Sequence, residues 1–249
     1  MVTLHGREHK RERMKGGVFD WDGTLASIDE RELYCINHAL TENGSKPVDR
    51  EFYVKNYYLR AYEEGTGPRM VLETALTGKG RTIIDTVYES YRKIFQATPE
   101  RATLQNGAIE ILKGLKRAGF KIAIATMRYT KWVVESELKH LGVAPLVDRL
   151  LTRQDLGLGG TLRSLEETVN QRARLVTKAL GEIRLESRDV FLVGDSWWDV
   201  RAGKKLGIRT VLVRTGFASY NDFSKESPDL IVSSMNELRE ILERKQWAI

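Results

Sequence analysis

Five short apolar runs recur along the chain, and each ends in polar side chains. Gly16-Gly17-Val18-Phe19 leads into Asp20-Trp21-Asp22-Gly23-Thr24-Leu25, and Phe120–Ala125 leads into Thr126-Met127-Arg128. Asp189–Val193 leads into Gly194-Asp195-Ser196, Arg209–Val213 into Arg214-Thr215-Gly216, and Asp229–Val232 ends at Ser233. Near-continuous apolar runs of this length suit strands of a sheet covered on both faces.

Helical patterns separate the runs. Gly107–Ala118, Leu165–Glu182 and Trp198–Leu206 precede the second, third and fourth, and Met235–Glu243 closes the chain. Alternation of strand and helix predicts right-handed crossovers and an α/β fold with a doubly wound parallel sheet. Ligands of such sheets bind at the carboxyl ends of the strands, where the polar clusters fall.

Residues 28–103 break the alternation. They read as four amphipathic helices, at Asp29–Asn43, Asp49–Glu64, Arg69–Thr77 and Arg81–Thr98, punctuated by Gly44, Gly65-Thr66-Gly67-Pro68, Gly78-Lys79-Gly80 and Pro99. The expected organisation is a basic tail over 1–15, a catalytic core from 16–27 and 104–249, and an all-helical inserted domain over 28–103. An insert of this kind, placed beside the catalytic edge, can act as a lid.

Composition narrows the class without changing the architecture. With 41% apolar and 30% charged residues, the 249-residue chain is too apolar for disorder and too charged for a membrane protein. The first ten residues contain no apolar segment of a secretory signal, and one cysteine, Cys35, excludes a disulfide framework. The expected location is cytoplasmic. Of the formal charge of +6, residues 1–15 supply +3, from five Lys/Arg against two Glu. A basic tail with a dilute remainder makes nucleic acid an unexpected partner.

Asp20 and Asp22 follow the first strand two residues apart, and Asp195 and Asp199 follow another strand four residues apart. Carboxylates this close repel each other unless a cation holds them or their pKa values separate. Four carboxylates with no neighbouring His or Cys describe a hard-cation site, for which Mg²⁺ is the expected occupant. Helix capping by Asp and Ser is the competing explanation for either pair alone; both pairs on adjacent strands favour a site.

The ordered combination Phe19-Asp20-Trp21-Asp22-Gly23-Thr24-Leu25, Thr126 after an apolar strand, and Val193-Gly194-Asp195-Ser196-x-x-Asp199 resembles the haloacid dehalogenase superfamily. The similarity continues through Val200–Gly207, Thr210–Gly216 and Ser227–Val232, and is strongest to phosphoglycolate-phosphatase-type members with a helical cap. The resemblance implies a Rossmann-like core and a phosphatase acting on a small phosphorylated metabolite. Asp20 would be the nucleophile forming an aspartyl-phosphate, and Asp22 the general acid and then base. Asp20, the backbone carbonyl of Asp22, Asp195 and Asp199 would hold Mg²⁺, and Thr126 would bind a phosphoryl oxygen. A carboxylate at Asp22 separates phosphate-ester chemistry from dehalogenation, which needs no acid there. A mutase or phosphotransferase of the β-phosphoglucomutase type retains both acids and is the alternative enzyme. A phospho-accepting regulatory module fits the motif order less well.

The family's basic residue before the last acidic motif is commonly Lys-Pro, which is absent here. The stretch reads Val169-Asn170-Gln171-Arg172-Ala173-Arg174-Leu175-Val176-Thr177-Lys178. A helix that begins at the catalytic edge brings its early residues to the phosphate, which selects Arg172, with Arg174 and Lys178 as alternatives. Trp197-Trp198 can border substrate or pack beneath the loop. Tyr57, Tyr58, Tyr62, Tyr88 and Tyr91 are expected mainly in the core of the insert. Arg128 has either a substrate or a surface role. His5, His9, His38 and His140 form no cluster.

Overall fold

A computed structural model describes residues 14–60, 67–157 and 164–244. Its central sheet has six parallel strands in the order β5-β4-β1-β6-β7-β8, with β1 at Gly16–Phe19, β4 at Lys121–Thr126, β5 at Arg149–Thr152, β6 at Val190–Gly194, β7 at Arg209–Val213 and β8 at Leu230–Val232. The order reverses on either side of β1, so the crevice for a ligand opens at the carboxyl ends of β1, β4 and β6. The register fixes this edge, pairing Phe19 with Ile124 and with Val193.

Alternate side chains of these strands enter two cores. Phe19, Ile122, Ile124, Phe191 and Val193 pack with α5 (Ala108–Arg117) and α10 (Met235–Glu243), while Val18, Ala123, Ala125 and Leu192 pack with α7 (Leu165–Ile183). Burial of each Val, Leu, Ile or Phe among them contributes roughly 1.5–3 kcal/mol, and each Ala less. Phe19 meets Phe191 edge to face, with centroids 5.8 Å apart.

The helical insert enters and leaves through one narrow neck. Strands β2 (Ala26–Ser27) and β3 (Thr103–Leu104) pair antiparallel, and between them lie α1 (Asp29–Glu42), α2 (Arg50–Val54), α3 (Pro68–Ala75) and α4 (Arg81–Ala97). The second expected helix changes character within its length. Lys55–Leu59 forms a π turn after α2, and its last expected residues lie outside the described segments. Asp49 caps α2 by accepting from Phe52 N at 2.8 Å.

Several elements went unread in the sequence. Strand β5 is a short edge strand whose first residue, Arg149, is exposed, so it has no buried alternation to announce it. Helix α6 (Lys131–His140) and the brief α9 (Gly216–Tyr220) are also additional. The expected tail is too long at its inner end. Met14 is buried in the core, and Lys15 pairs with Asp189 at 2.9 Å. The remainder of that tail falls outside the described residues. Among the described residues, no helix is long and apolar enough to cross a membrane.

Candidate active site

The three central strands deliver the expected acids and Thr126 to one crevice. Asp20 follows β1, Thr126 ends β4, and Asp195 follows β6 at the entry to α8 (Trp197–Leu206). Asp20, Asp195 and Asp199 are all buried, and one oxygen from each lies within 4.8 Å of the others. Asp20 Oδ1 has no hydrogen-bond partner although it is buried. An unsatisfied buried acceptor among hard oxygen donors suits a divalent hard cation.

Tight backbone geometry brings the acids this close. The amides of Thr24, Leu25 and Ala26 all donate to the carbonyl of Trp21, wrapping the loop after β1 into a compact turn. Gly23 has φ +74°, and a Cβ there would stand 2.4 Å from Asp195 Oδ2. Gly216 has φ +48° and would place a Cβ 2.1 Å from the same oxygen. Both positions need the left-handed backbone region and the missing side chain at once. Asp195 is further fixed by Thr24 Oγ1 and by the amide of Phe217, each donating at 2.8 Å.

Burial pushes the Asp20 carboxyl well above the ordinary range; Arg172 opposes this, while Asp199 and Asp22 add repulsion. Asp195 is also raised, first by burial and then by Asp20 and Asp199. Asp199 combines both roles considered from sequence. It closes a capping box with Ser196 at the start of α8, and it belongs to the acid cluster.

Arg172 is fully buried in the third turn of α7, further along than an early helix position. Its long side chain still reaches the site. Nε donates to Asp199 Oδ1 at 2.6 Å, Nη1 donates to the carbonyl of Ala125, and Nη1 lies 3.7 Å from Asp20 Oδ1. Nη2 is buried without a partner. Arg174 and Lys178 are exposed on the same helix, and Lys178 pairs with Glu182, so the structure does not bring either to the crevice.

A second ionic cluster adjoins the first. The guanidinium of Arg128 grips both oxygens of Asp22, with Nε to Oδ2 at 2.7 Å and Nη2 to Oδ1, and it also donates to Glu137. Glu137, fully buried on α6, also accepts from Arg31 of α1 and from Trp21 Nε1, the latter at 2.7 Å. Burial raises the Asp22 carboxyl, with Arg128 opposing, whereas Arg128 and Arg31 hold Glu137 below its usual range against burial. Arg31, Glu32, Glu137 and Arg153 were not singled out from the sequence. The α6 pattern carried no catalytic motif, and the partners are remote in the chain.

The crevice widens into a cavity of 390 Å³ roofed by the insert. Tyr57, Tyr58, Tyr88 and Tyr91 contribute to its wall while being packed among themselves, so they serve both as core and as lining. Tyr62 lies outside the described residues. Trp198 borders the cavity and meets Phe217 edge to face, with centroids 5.0 Å apart, while Trp197 packs beneath. His38 and His140 stand apart from the crevice, and His5 and His9 lie outside the described residues.

Comparison with known proteins agrees with this geometry. A phosphoglycolate phosphatase of Aquifex aeolicus is 28% identical over 91% of this chain and 95% of its own length. The pyrophosphatase PpaX of Halalkalibacterium halodurans is 23% identical over 90% and 95%. The crystal structure of CbbY from Rhodobacter sphaeroides, in complex with phosphate, shares the fold with a TM-score of 0.68 at 21% identity, covering 90% of this chain and 96% of that one. Residues 18–213 match the model of the haloacid dehalogenase-like hydrolases. The match spans every strand end that carries a site residue, and the chain belongs to the haloacid dehalogenase-like hydrolase family.

Proposed function

We propose that the chain is a Mg²⁺-dependent phosphatase that hydrolyses a small phosphorylated metabolite through an aspartyl-phosphate on Asp20. The observation that carries the reading is the buried trio Asp20, Asp195 and Asp199 with Arg172 between two of them. Phosphatase and pyrophosphatase names among the relatives support it.

Asp20, Asp195, Asp199 and the backbone carbonyl of Asp22 would hold the ion. When bound, Mg²⁺ supplies positive charge that offsets repulsion between carboxylate and phosphate. Asp20 attacks phosphorus, forming the Asp20–phosphorus bond as the ester oxygen departs with its electron pair. Asp22 gives that oxygen a proton, and then accepts one from the water that attacks phosphorus and frees inorganic phosphate. Arg128 fixes the orientation of the Asp22 carboxyl during both steps. The Thr126 hydroxyl and the Arg172 guanidinium bind phosphoryl oxygens, and an arginine can clamp two of them. The insert acts as a cap domain that excludes water, and the expected location of the enzyme is cytoplasmic.

Hydrolysis of p-nitrophenyl phosphate with Mg²⁺ tests the reading. Turnover that is abolished by EDTA and by Asp20→Asn is expected. A folded, metal-loaded protein without turnover would overturn the reading.

A further inference from the structure

We infer that Glu137 is a positioning residue for proton transfer by Asp22, holding both the guanidinium that aims the Asp22 carboxyl and the indole that separates Asp20 from Asp22 in the chain. The inference rests on the phosphatase reading. Glu137 takes no direct part in the chemistry, because it is fully buried on α6 and does not line the cavity.

The two oxygens of Glu137 serve three donors. Oε1 accepts from Arg128 Nη1 and from Arg31 Nη1, and Oε2 accepts from Trp21 Nε1 at 2.7 Å. Arg128 turns its opposite edge to Asp22, Nε to Oδ2 at 2.7 Å and Nη2 to Oδ1. A guanidinium is planar, so holding Nη1 also fixes the plane in which the other edge presents its two donors. Trp21 is completely buried, and its carbonyl accepts from the amides of Thr24, Leu25 and Ala26. One carboxylate therefore braces Asp22 from two directions, through the neighbouring residue in the chain and through the cation on its own carboxyl.

The insert closes over this arrangement. Arg31 Nη2 donates to the Phe95 carbonyl of α4 at 2.6 Å. The centre of the Phe95 ring lies 3.9 Å from the guanidinium carbon of Arg31 and 4.7 Å from that of Arg128, so one ring covers both cations. Asp20 has a separate cation, Arg172, 3.7 Å away. Loss of Glu137 thus misaims the acid and leaves the cation beside the nucleophile in place. A misplacement of about 1 Å can cost about a hundredfold in rate. Here the cost falls on the step in which Asp22 gives its proton to the ester oxygen as the phosphorus–oxygen bond breaks.

Values of kcat/KM on two esters with Mg²⁺ test the inference: benzyl phosphate, whose leaving oxygen needs a proton, and p-nitrophenyl phosphate, whose p-nitrophenolate departs without one. This ratio covers the steps through departure of that group, so the later role of Asp22 as base does not enter. Glu137→Gln is expected to lower the benzyl phosphate value about a hundredfold and the p-nitrophenyl phosphate value less than about fivefold. Glu137→Asp keeps the charge but shortens the reach, and about a tenfold loss confined to benzyl phosphate is expected; it is the deciding variant where Glu137→Gln does not fold. Equal losses on both esters, or no loss, in the deciding variant overturns the inference, because a merely structural role depresses both alike. Wild type that hydrolyses p-nitrophenyl phosphate but not benzyl phosphate also overturns it, since no acid step is then left to position. Wild type that hydrolyses neither removes the phosphatase reading, and this inference with it.

Discussion

Arg128 holds both carboxylate oxygens of Asp22 while its remaining nitrogen donates to the buried Glu137, so the proposed acid–base residue is oriented by a partner one strand away. Glu137 in turn binds Arg31, whose guanidinium lies 3.9 Å from the centre of the Phe95 ring of α4. Asp22 and the helical insert are therefore joined through one ionic chain.

Replacing Arg128 by Gln removes the cation that favours ionised Asp22. The Asp22 carboxyl then holds its proton to higher pH, and the limb of the kcat/KM profile that reports its ionisation moves up the pH scale. Stability falls by roughly 3 kcal/mol, because Asp22 and Glu137 lose a common buried partner. A pH–rate series and urea unfolding read the two effects separately.

Arg172 is fully buried against Asp199 and Asp20, whereas Arg174 and Lys178 face outward. Arg172→Lys keeps the charge but loses the planar fork, and kcat/KM is expected to drop about a hundredfold. Arg174→Ala and Lys178→Ala are expected to remain within about twofold of wild type, as surface substitutions do. Steady-state kinetics on one phosphomonoester is sufficient.

Gly216→Ala forces a Cβ to within 2.1 Å of Asp195 Oδ2 at φ +48°, so the carboxylate must move. Weaker Mg²⁺ binding is expected, by at least about tenfold. Gly44→Ala is the control: it has a similar φ of +70° but nothing within 4 Å, so it costs about 1 kcal/mol of backbone strain and leaves metal affinity intact. Isothermal titration with Mg²⁺ distinguishes them.

Glu32 has an ordinary value of 4.5 and is raised to about 7 by burial. Between those values the folded protein retains a proton that the unfolded chain has released. The corresponding stability is complete below about 4.5 and is lost as the pH rises through about 7, a total of about 3 kcal/mol. Asp20 and Asp195 are raised too and act in the same direction, so the comparison is with Glu32→Gln, whose stability should decline less between pH 5 and 8. Urea melts of both proteins without Mg²⁺ supply the slopes.

The parts of this molecule that could be read from sequence are those written within one local window. A strand, its terminal Asp20-x-Asp22 and the following Gly23 occupy eight consecutive residues, so both position and chemistry are visible together. The same holds for Val190–Gly194 and Asp195 through Asp199. The cluster of Arg31, Arg128 and Glu137 is different, since its members come from a helix of the insert, a strand end and a surface-patterned helix of the core. Glu137 looks like an ordinary helix glutamate until the fold buries it. Helix direction alone favours an early position for the residue that reaches the site, yet side-chain length carries Arg172 there from the third turn. Tyr91 was expected in the interior of the insert, and its hydroxyl becomes part of the cavity only because α4 packs beside α1.

The central claim is a covalent intermediate on Asp20. Asp22→Asn removes the acid of the first step and the base of the second, so the variant is mixed with p-nitrophenyl phosphate, whose p-nitrophenolate departs without a proton, and Mg²⁺, and is acid-quenched while breakdown of the intermediate is slow. Borohydride reduces an aspartyl-phosphate to homoserine, which mass spectrometry locates in the digested chain. Homoserine at position 20, dependent on substrate and metal, is the predicted result. Substrate turnover by wild type with no homoserine at position 20, or with homoserine at another carboxylate, would contradict the account.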